Sequence, residues 1–111
     1  MKNLDYVLLL DCYGSLLTER QRALLEGYYN DDLSLAELAE PIGVSRAAVY
    51  DSIRRGEKKL EEYEQQMGIA ARLNAVRALL TEIGEIGHTL PPAEAGRIAE
   101  AVARGMDLLS S

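Results

Sequence analysis

The chain has 111 residues, enough for one domain, or one domain with a helical appendage, that buries about two thirds of its unfolded surface. Its single cysteine, Cys12, excludes an internal disulfide, and no apolar run reaches the about 20 residues of a membrane-spanning helix. The amino terminus lacks a signal-peptide pattern, so we expect a soluble cytoplasmic protein. Leucine is abundant and long runs of β-branched residues are few, which favours an all-α fold.

The first predicted helix, from Leu4 to Leu17, is apolar around more of its circumference than one side of a small domain can bury. Gly14 and Ser15 are expected to loosen its end. Either two copies of the chain associate through this helix, or later helices of the same chain cover it from both sides. For association, the predicted dimer interface consists of Leu4, Val7, Leu8 and Leu10.

A second helix is predicted to start at Thr18, because Thr18 and Gln21 fit a capping box. Its apolar residues are Leu24, Leu25, Tyr28 and Tyr29. Asp31 and Asp32 follow this helix, with no further carboxylate or histidine at ligand spacing. We therefore interpret the two aspartates as part of a solvated turn, and we expect no metal ion.

The stretch from Leu33 to Leu60 predicts two helices joined by a short turn. Ser34 and Glu37 fit another capping box, which marks the start of the first of these helices. Pro41 should end that helix within a residue or two. Gly43 can then take the positive φ that a sharp turn between helices requires.

Ser45 caps the next predicted helix, which continues towards Gly68. Val49, Ile53 and Leu60 form its inward stripe, so the opposite side faces solvent. The outward residues are Arg46, Ala47, Tyr50, Asp51 and Arg54. Together the two helices and their turn have the pattern of a helix-turn-helix, whose second helix presents its outward face to the major groove of DNA.

For nucleic-acid binding, the distribution of charge along the chain is more informative than the net charge. A net charge of −6 argues against a nucleic-acid partner, but residues 45–60 carry five basic and two acidic groups and are the only positive block. Residues 61–68 carry three acidic groups, which we expect on or beside the exposed side, so binding should be confined to the first half of the helix. Gly56, inside the positive block, either permits close approach to a phosphate or marks a bend.

The last part of the chain, residues 69–111, predicts a helical hairpin. Apolar residues alternate at spacings of three and four from Ile69 to Ile86, and the sequence GHTLPP interrupts them before a final helix near Pro92. We expect the hairpin to pack either on the helix-turn-helix domain, residues 1–68, or on a dimer partner.

The sequence contains no motif of catalytic chemistry. Its single histidine, His88, lies in the interrupting loop with no nucleophile or carboxylate pair placed around it, and the glycines do not form a phosphate-binding loop. We therefore expect neither an enzyme nor a bound cofactor.

The helix-turn-helix is similar to region 4 of bacterial sigma factors. The longer run from Leu4 to Met67, above all the strings YGSLLTERQ and YYNDDLSLAELA, resembles the YlxM family of small helix-turn-helix proteins. This resemblance implies a regulatory protein of the signal recognition particle pathway, with DNA, particle RNA or other particle components as partners.

Two functions follow from these patterns. In the first, the protein binds DNA or RNA through the helix that begins at Ser45, as a homodimer, because one short helix binds weakly. The predicted nucleic-acid-binding residues are Ser45, Arg46, Tyr50, Arg54, Arg55, Lys58 and Lys59. In the second, the helix-turn-helix binds only proteins, which the acidic net charge and Asp51 on the outward face favour.

Overall fold

The computed structural model describes the backbone of residues 4–110 and the side chains of residues 6–110. Over this range the elements are α1 (Leu4–Tyr13), a 3-10 turn (Gly14–Leu16), α2 (Glu19–Tyr29), α3 (Leu35–Ile42), α4 (Arg46–Met67), α5 (Ile69–Gly87) and α6 (Pro92–Ser110). The predicted all-α fold is confirmed. The chain divides into two compact units, residues 1–70 and residues 71–111.

Helix α1 ends earlier than the sequence predicts. Tyr13 leaves helical geometry, with φ −124° and ψ 0°, and a 3-10 turn follows. A 3.1 Å hydrogen bond from the Leu17 N–H to the Gly14 carbonyl closes this turn. The change begins one residue before Gly14, the glycine that was expected to loosen the end and whose helix propensity is low.

Helix α4 is central to the first unit, since α1, α2 and α3 all pack against it. The buried side chains of the four helices form one core: Leu10, Tyr13, Leu24, Leu25, Leu38, Ala39, Val49, Ile53 and Leu60. The inward stripe predicted for α4 is therefore confirmed. With Phe and Trp absent from the chain, leucines and the ring of one tyrosine fill most of this core.

The position of Leu10 corrects the predicted dimer interface. Its side chain is 4% exposed and belongs to the core of its own chain, so it is not available to a second copy. Val7 and Leu8 are half-buried, and the side chain of Leu4 lies outside the described residues. Because α2 and α4 both pack on α1, much of the apolar surface that suggested self-association is used within the chain.

Both predicted capping boxes are present. The Thr18 hydroxyl accepts a hydrogen bond from the Gln21 N–H at 3.1 Å, and the Ser34 hydroxyl accepts one from the Glu37 N–H at 3.1 Å. Each partner side chain accepts a hydrogen bond from the N-cap N–H in return. These bonds satisfy N–H groups that would otherwise lack a partner at the starts of α2 and α3.

The turn between α3 and α4 also follows the prediction. Helix α3 ends one residue after Pro41, and Gly43 has φ 67°, in the left-handed region. The Gly43 N–H donates to the Glu40 carbonyl at 3.2 Å, and the Val44 N–H donates to the Ala39 carbonyl at 3.3 Å. The turn thus uses backbone carbonyls at the end of α3 and directs the chain into α4.

Gly56 has a packing role, so of the two alternatives given for it, close approach to a phosphate is wrong. The residue is buried, and a Cβ atom added to it would lie 2.6 Å from Cδ1 of Leu25 on α2. Gly27 of α2 faces Leu38 of α3 in the same way, also at 2.6 Å. The missing side chains at these two glycines allow α2 to lie close to both helices of the helix-turn-helix.

In the second unit, α5 and α6 form an antiparallel hairpin. Gly84 of α5 lies near Val102, and Gly87 lies so close to Ile98 that an added Cβ would be 2.9 Å away. A separate row of large apolar side chains on α5, called here the α5 stripe, is exposed: Val76, Leu79, Ile83 and Ile86. None of the described helices is both long enough and apolar enough to cross a bilayer.

Candidate nucleic-acid interface

The helix-turn-helix places the start of α4 at the surface. Ser45 caps the helix, and its hydroxyl oxygen accepts a hydrogen bond from the Ala48 N–H at 3.0 Å. The hydroxyl can still donate its hydrogen, and the other first-turn N–H groups are oriented as they are at helix ends that bind anions. Arg46 and Tyr50 are exposed, and more than half of the Tyr50 surface, 54%, is accessible.

The five cations of α4 are all exposed. Arg46, Arg54 and Lys58 lie in one row with Tyr50, because residues four apart stack along a helix. Arg55 and Lys59 are also exposed, beside this row. We call these five cations the α4 basic face: Arg46, Arg54, Arg55, Lys58 and Lys59.

Three cations of the α4 basic face form ion pairs within the helix. The distances are 3.3 Å from Arg54 Nη1 to Glu57 Oε1, 2.9 Å from Arg55 Nη2 to Asp51 Oδ2, and 3.7 Å from Lys59 Nζ to Glu62 Oε2. Arg46 and Lys58 have no ion pair with any residue that the structure describes.

These ion pairs leave the basic face accessible to a phosphate. The side chains of Arg54, Arg55 and Lys59 are 61%, 74% and 56% exposed. The carboxylate partners of Arg55 and Lys59 are exposed as well, and such pairs contribute about 0–1 kcal/mol, so a phosphate oxygen can replace the carboxylate at little cost. The structure therefore brings all seven predicted binding residues to the exposed surface of α4 and its cap.

A depression of about 400 Å³ lies beside the basic face. Its lining residues come from α1 and α4: Tyr6, Arg54, Arg55, Glu57, Lys58 and Glu61. Three are cations and two are carboxylates, and each carboxylate accepts a hydrogen bond from a tyrosine hydroxyl. The depression can therefore receive a polar anionic group at its basic side.

Sequence reasoning missed an acidic row on α4 that faces the rest of the unit. Three tyrosine hydroxyls donate to it: Tyr29 to Glu57, Tyr6 to Glu61, and Tyr13 to Glu64 at 2.5 Å. Glu57 is only 6% exposed, and Glu64, expected on or beside the exposed side, is half-buried. The signal was available, since residues 57, 61 and 64 fall on one helical face next to the inward stripe.

The environment of these tyrosines keeps their hydroxyls protonated. The hydrogen bond to Glu61, together with burial, raises the pKa of Tyr6 to about 12. Burial first, and then the hydrogen bonds to Glu57 and Glu64, raise the pKa of Tyr29 and the pKa of Tyr13. All three therefore act as neutral donors to carboxylates at physiological pH.

Tyr13 and Glu64 also bind the backbone at the start of α5. The Ile69 N–H donates to the Tyr13 hydroxyl oxygen at 3.0 Å, and the Ala70 N–H donates to the Glu64 carboxylate at 3.0 Å. Two N–H groups that have no partner within α5 are thereby satisfied by side chains from α1 and α4.

No group of three or more His, Cys, Asp or Glu side chains among residues 6–110 is arranged to hold a metal ion. Burial raises the pKa of the Cys12 thiol, which disfavours the reactive thiolate, and His88 is exposed.

The fold and the exposed face of α4 define a helix-turn-helix protein. The chain belongs to the UPF0122 family, described as "Putative helix-turn-helix protein, YlxM / p13 like", whose model matches residues 1–91. The match thus extends beyond the resemblance at Leu4 to Met67 and includes all of α5.

Relatives in several bacteria support this membership. A UPF0122 protein of Shouchella clausii is 51% identical over 82 residues, which cover 74% of this chain and 75% of the relative. A UPF0122 protein of Symbiobacterium thermophilum is 50% identical over 86 residues, which cover 77% of this chain and 80% of the relative. A UPF0122 protein of Desulforamulus reducens is 39% identical over 102 residues, which cover 92% of this chain and 85% of the relative.

Proposed function

We propose that this protein binds nucleic acid through the α4 basic face, together with Ser45 and Tyr50. The observation that carries the proposal is the exposed row of cations on a helix whose opposite side is fixed in the core. In such a fold the first residues of the second helix meet base edges, which suits Arg46 and Tyr50. The later cations suit backbone phosphates.

Duplex DNA is the partner that this geometry suits best. The major groove of B-DNA admits a helix, whereas the major groove of A-form RNA is too narrow for one. RNA of the signal recognition particle would have to be met through phosphates or loops, by the same cations. A binding experiment must therefore include both polymers.

We further propose that two copies act together. One helix with five cations gives weak, salt-sensitive binding, and joining two copies multiplies the affinity. Two surfaces are candidates: the half-buried Val7 and Leu8 on α1, and the exposed α5 stripe. The stripe has the spacing of three and four residues that suits packing between helices.

The resemblance to YlxM-type proteins suggests a biological setting. On that basis we propose a non-enzymatic, cytoplasmic regulator in the signal recognition particle pathway, with components of the particle as further partners. The family membership supports the helix-turn-helix part of this proposal.

A second candidate function is a protein-interaction module. The observation in its favour is that Arg54, Arg55 and Lys59 are already paired with carboxylates of their own helix, in a chain of net charge −6. A protein partner would use the same exposed face of α4 without replacing these pairs.

The two functions are separated by a binding experiment. Fluorescence anisotropy with labelled duplex DNA of mixed sequence, and separately with particle RNA, would compare the wild type with the R54A/R55A variant. We expect the affinity of the variant to fall at least about tenfold. The slope of log affinity against log salt concentration should decrease by about two counterions, since two phosphate contacts disappear.

The matched control removes the same charge elsewhere. Arg97 and Arg104 are exposed on α6, so the R97A/R104A variant changes the net charge equally without touching α4. Its affinity should stay close to that of the wild type. If the wild type binds neither polymer at low salt, or if both variants lose affinity alike, the α4 basic face is not the binding surface.

A further inference from the structure

The ion pair of Arg54 differs in one respect from the other two described on α4. Its carboxylate partner is buried: the Glu57 side chain is 7% exposed, against 61% for Asp51 and 48% for Glu62. An exposed carboxylate can turn away into water, but a buried one keeps its position. Arg54 is therefore held by a fixed partner.

The two oxygens of Glu57 have separate partners. Oε2 accepts the hydrogen bond from the Tyr29 hydroxyl, and Oε1 accepts the 3.3 Å bond from Arg54 Nη1. The Tyr29 ring is in turn fixed by aromatic contacts, with centroids 5.1 Å from Tyr28 and 5.7 Å from Tyr6. A series of hydrogen bonds thus runs from α2, through a buried carboxylate, to an exposed guanidinium.

We propose that Glu57, held by Tyr29, is a positioning residue that directs the Arg54 guanidinium to a phosphate of the nucleic acid. This inference rests on the proposed function. One N–H group of Arg54 binds Glu57, and the others remain free to donate to phosphate oxygens, because a guanidinium carries five. A long side chain that is already oriented loses less rotational freedom on binding.

The surroundings of Arg54 fit this role. Arg54 lines the depression together with Arg55 and Lys58, so a phosphate at its basic side meets three cations. The charge of Glu57 opposes phosphate binding, but Tyr29 and Arg54 both donate to it. The experiment must therefore distinguish positioning from simple neutralisation of Arg54.

A double-mutant cycle of Tyr29→Phe and Arg54→Ala makes that distinction. The phenylalanine keeps the ring and the charge of Glu57, and removes only the hydroxyl that fixes the carboxylate. With mixed-sequence duplex DNA at low salt, we expect Y29F to weaken binding by about three- to tenfold. In the R54A background the same change should have no further effect, since its target is gone.

Salt dependence and a control variant complete the test. Y29F should leave the slope of log affinity against log salt concentration unchanged. R54A should reduce this slope by about one counterion, because one phosphate contact is lost. Tyr13→Phe is the matched control: it removes the same kind of hydroxyl bond to a carboxylate of α4, Glu64, and Tyr13 does not line the depression. Its affinity should equal that of the wild type.

Each contrary result is informative. Equal losses from Y29F in both backgrounds would mean that Tyr29 supports only the fold, and unchanged or tighter binding by Y29F would mean that Glu57 merely neutralises Arg54. Either result, with a wild type that binds, overturns this inference and leaves the proposed function standing. A wild type that binds no nucleic acid overturns both.

Discussion

Leu25 of α2 and Gly56 of α4 are in direct contact within the core of the first unit. Leu25 is fully buried, and a Cβ atom at position 56 would lie 2.6 Å from its Cδ1 atom. This contact fixes how closely α2 approaches the helix that carries the basic face. The hydrogen bond from Tyr29 to Glu57, one residue further along α4, depends on the same approach.

Replacing Gly56 by alanine should destabilise the protein. The gain in helix propensity is about 1 kcal/mol, whereas overpacking a core typically costs about 1–3 kcal/mol, and the fully buried Leu25 has little room to shift, which favours the upper part of that range. Urea unfolding should therefore show a lower free energy of unfolding for G56A. The control is Gly96→Ala on α6, where an added Cβ meets nothing within 4 Å and stability should rise. Higher stability of G56A would contradict the close packing of α2 and α4.

Replacing Ser45 by aspartate should separate folding from binding. Aspartate caps a helix about as well as serine, so the free energy of unfolding should change by less than about 0.5 kcal/mol. The added negative charge lies where a phosphate is expected, so affinity for duplex DNA should fall. Ser34→Asp, at the equivalent cap of α3, is the control for both measurements. Equal affinity of S45D and the wild type would place the phosphate elsewhere.

Replacing Gly43 by alanine tests the turn of the helix-turn-helix. Its φ of 67° is unfavourable for a residue with a Cβ atom, while no atom lies within 4 Å of the added carbon. The expected loss of about 1 kcal/mol is therefore conformational and not steric. Asparagine tolerates this geometry better, so G43N should be destabilised less in the same urea experiment. A higher free energy of unfolding for G43A than for G43N would argue against the left-handed turn.

Stability should fall at alkaline pH as the tyrosines that donate to the carboxylates of α4 ionise. A pKa that is higher in the folded state stabilises the protein fully below the unfolded value of 10.0 and loses this effect as the pH rises through the folded value, about 12 for Tyr6. The folded pKa values of Tyr13 and Tyr29 are shifted in the same direction. The melting temperature should therefore drop above about pH 10, and less steeply in Y6F. A drop of equal steepness in both proteins would exclude Tyr6 from this effect.

Replacing Ile83 by glutamate should dissociate a dimer that forms through the α5 stripe. Ile83 lies in the middle of that stripe and is 47% exposed, so the change adds charge where a partner would bury apolar surface. Sedimentation equilibrium should show a dimer for the wild type and a monomer for I83E. Leu8→Glu tests the α1 surface by the same method. A monomeric wild type would remove the dimer from the proposed function.

The parts of the fold that the sequence predicted well depend on local chemistry. The boxes at Thr18 and Ser34 and the glycine at position 43 act within a few residues, so the pattern alone identifies them. The exposure of Arg54 likewise follows from its place opposite the inward stripe.

The corrections concern residues whose role depends on distant parts of the chain. Leu10 is covered because α2 and α4 pack on α1, and Gly56 meets a leucine 31 positions earlier in the sequence. From the sequence alone, Glu57 is one more charged residue on a solvated helix, because its hydrogen bond with Tyr29 is formed only in the folded chain. Helical periodicity gives the face on which a residue lies, but not the neighbour that occupies that face.

The hydrogen bonds of Tyr13 and Glu64 to the backbone N–H groups of Ile69 and Ala70 bear on how the chain can be divided. A fragment that stops at Gly68 would deprive a buried phenol and a half-buried carboxylate of these donors. Extending the fragment by a few residues would restore both bonds. A fragment designed to keep these contacts of the helix-turn-helix should therefore include the first turn of α5.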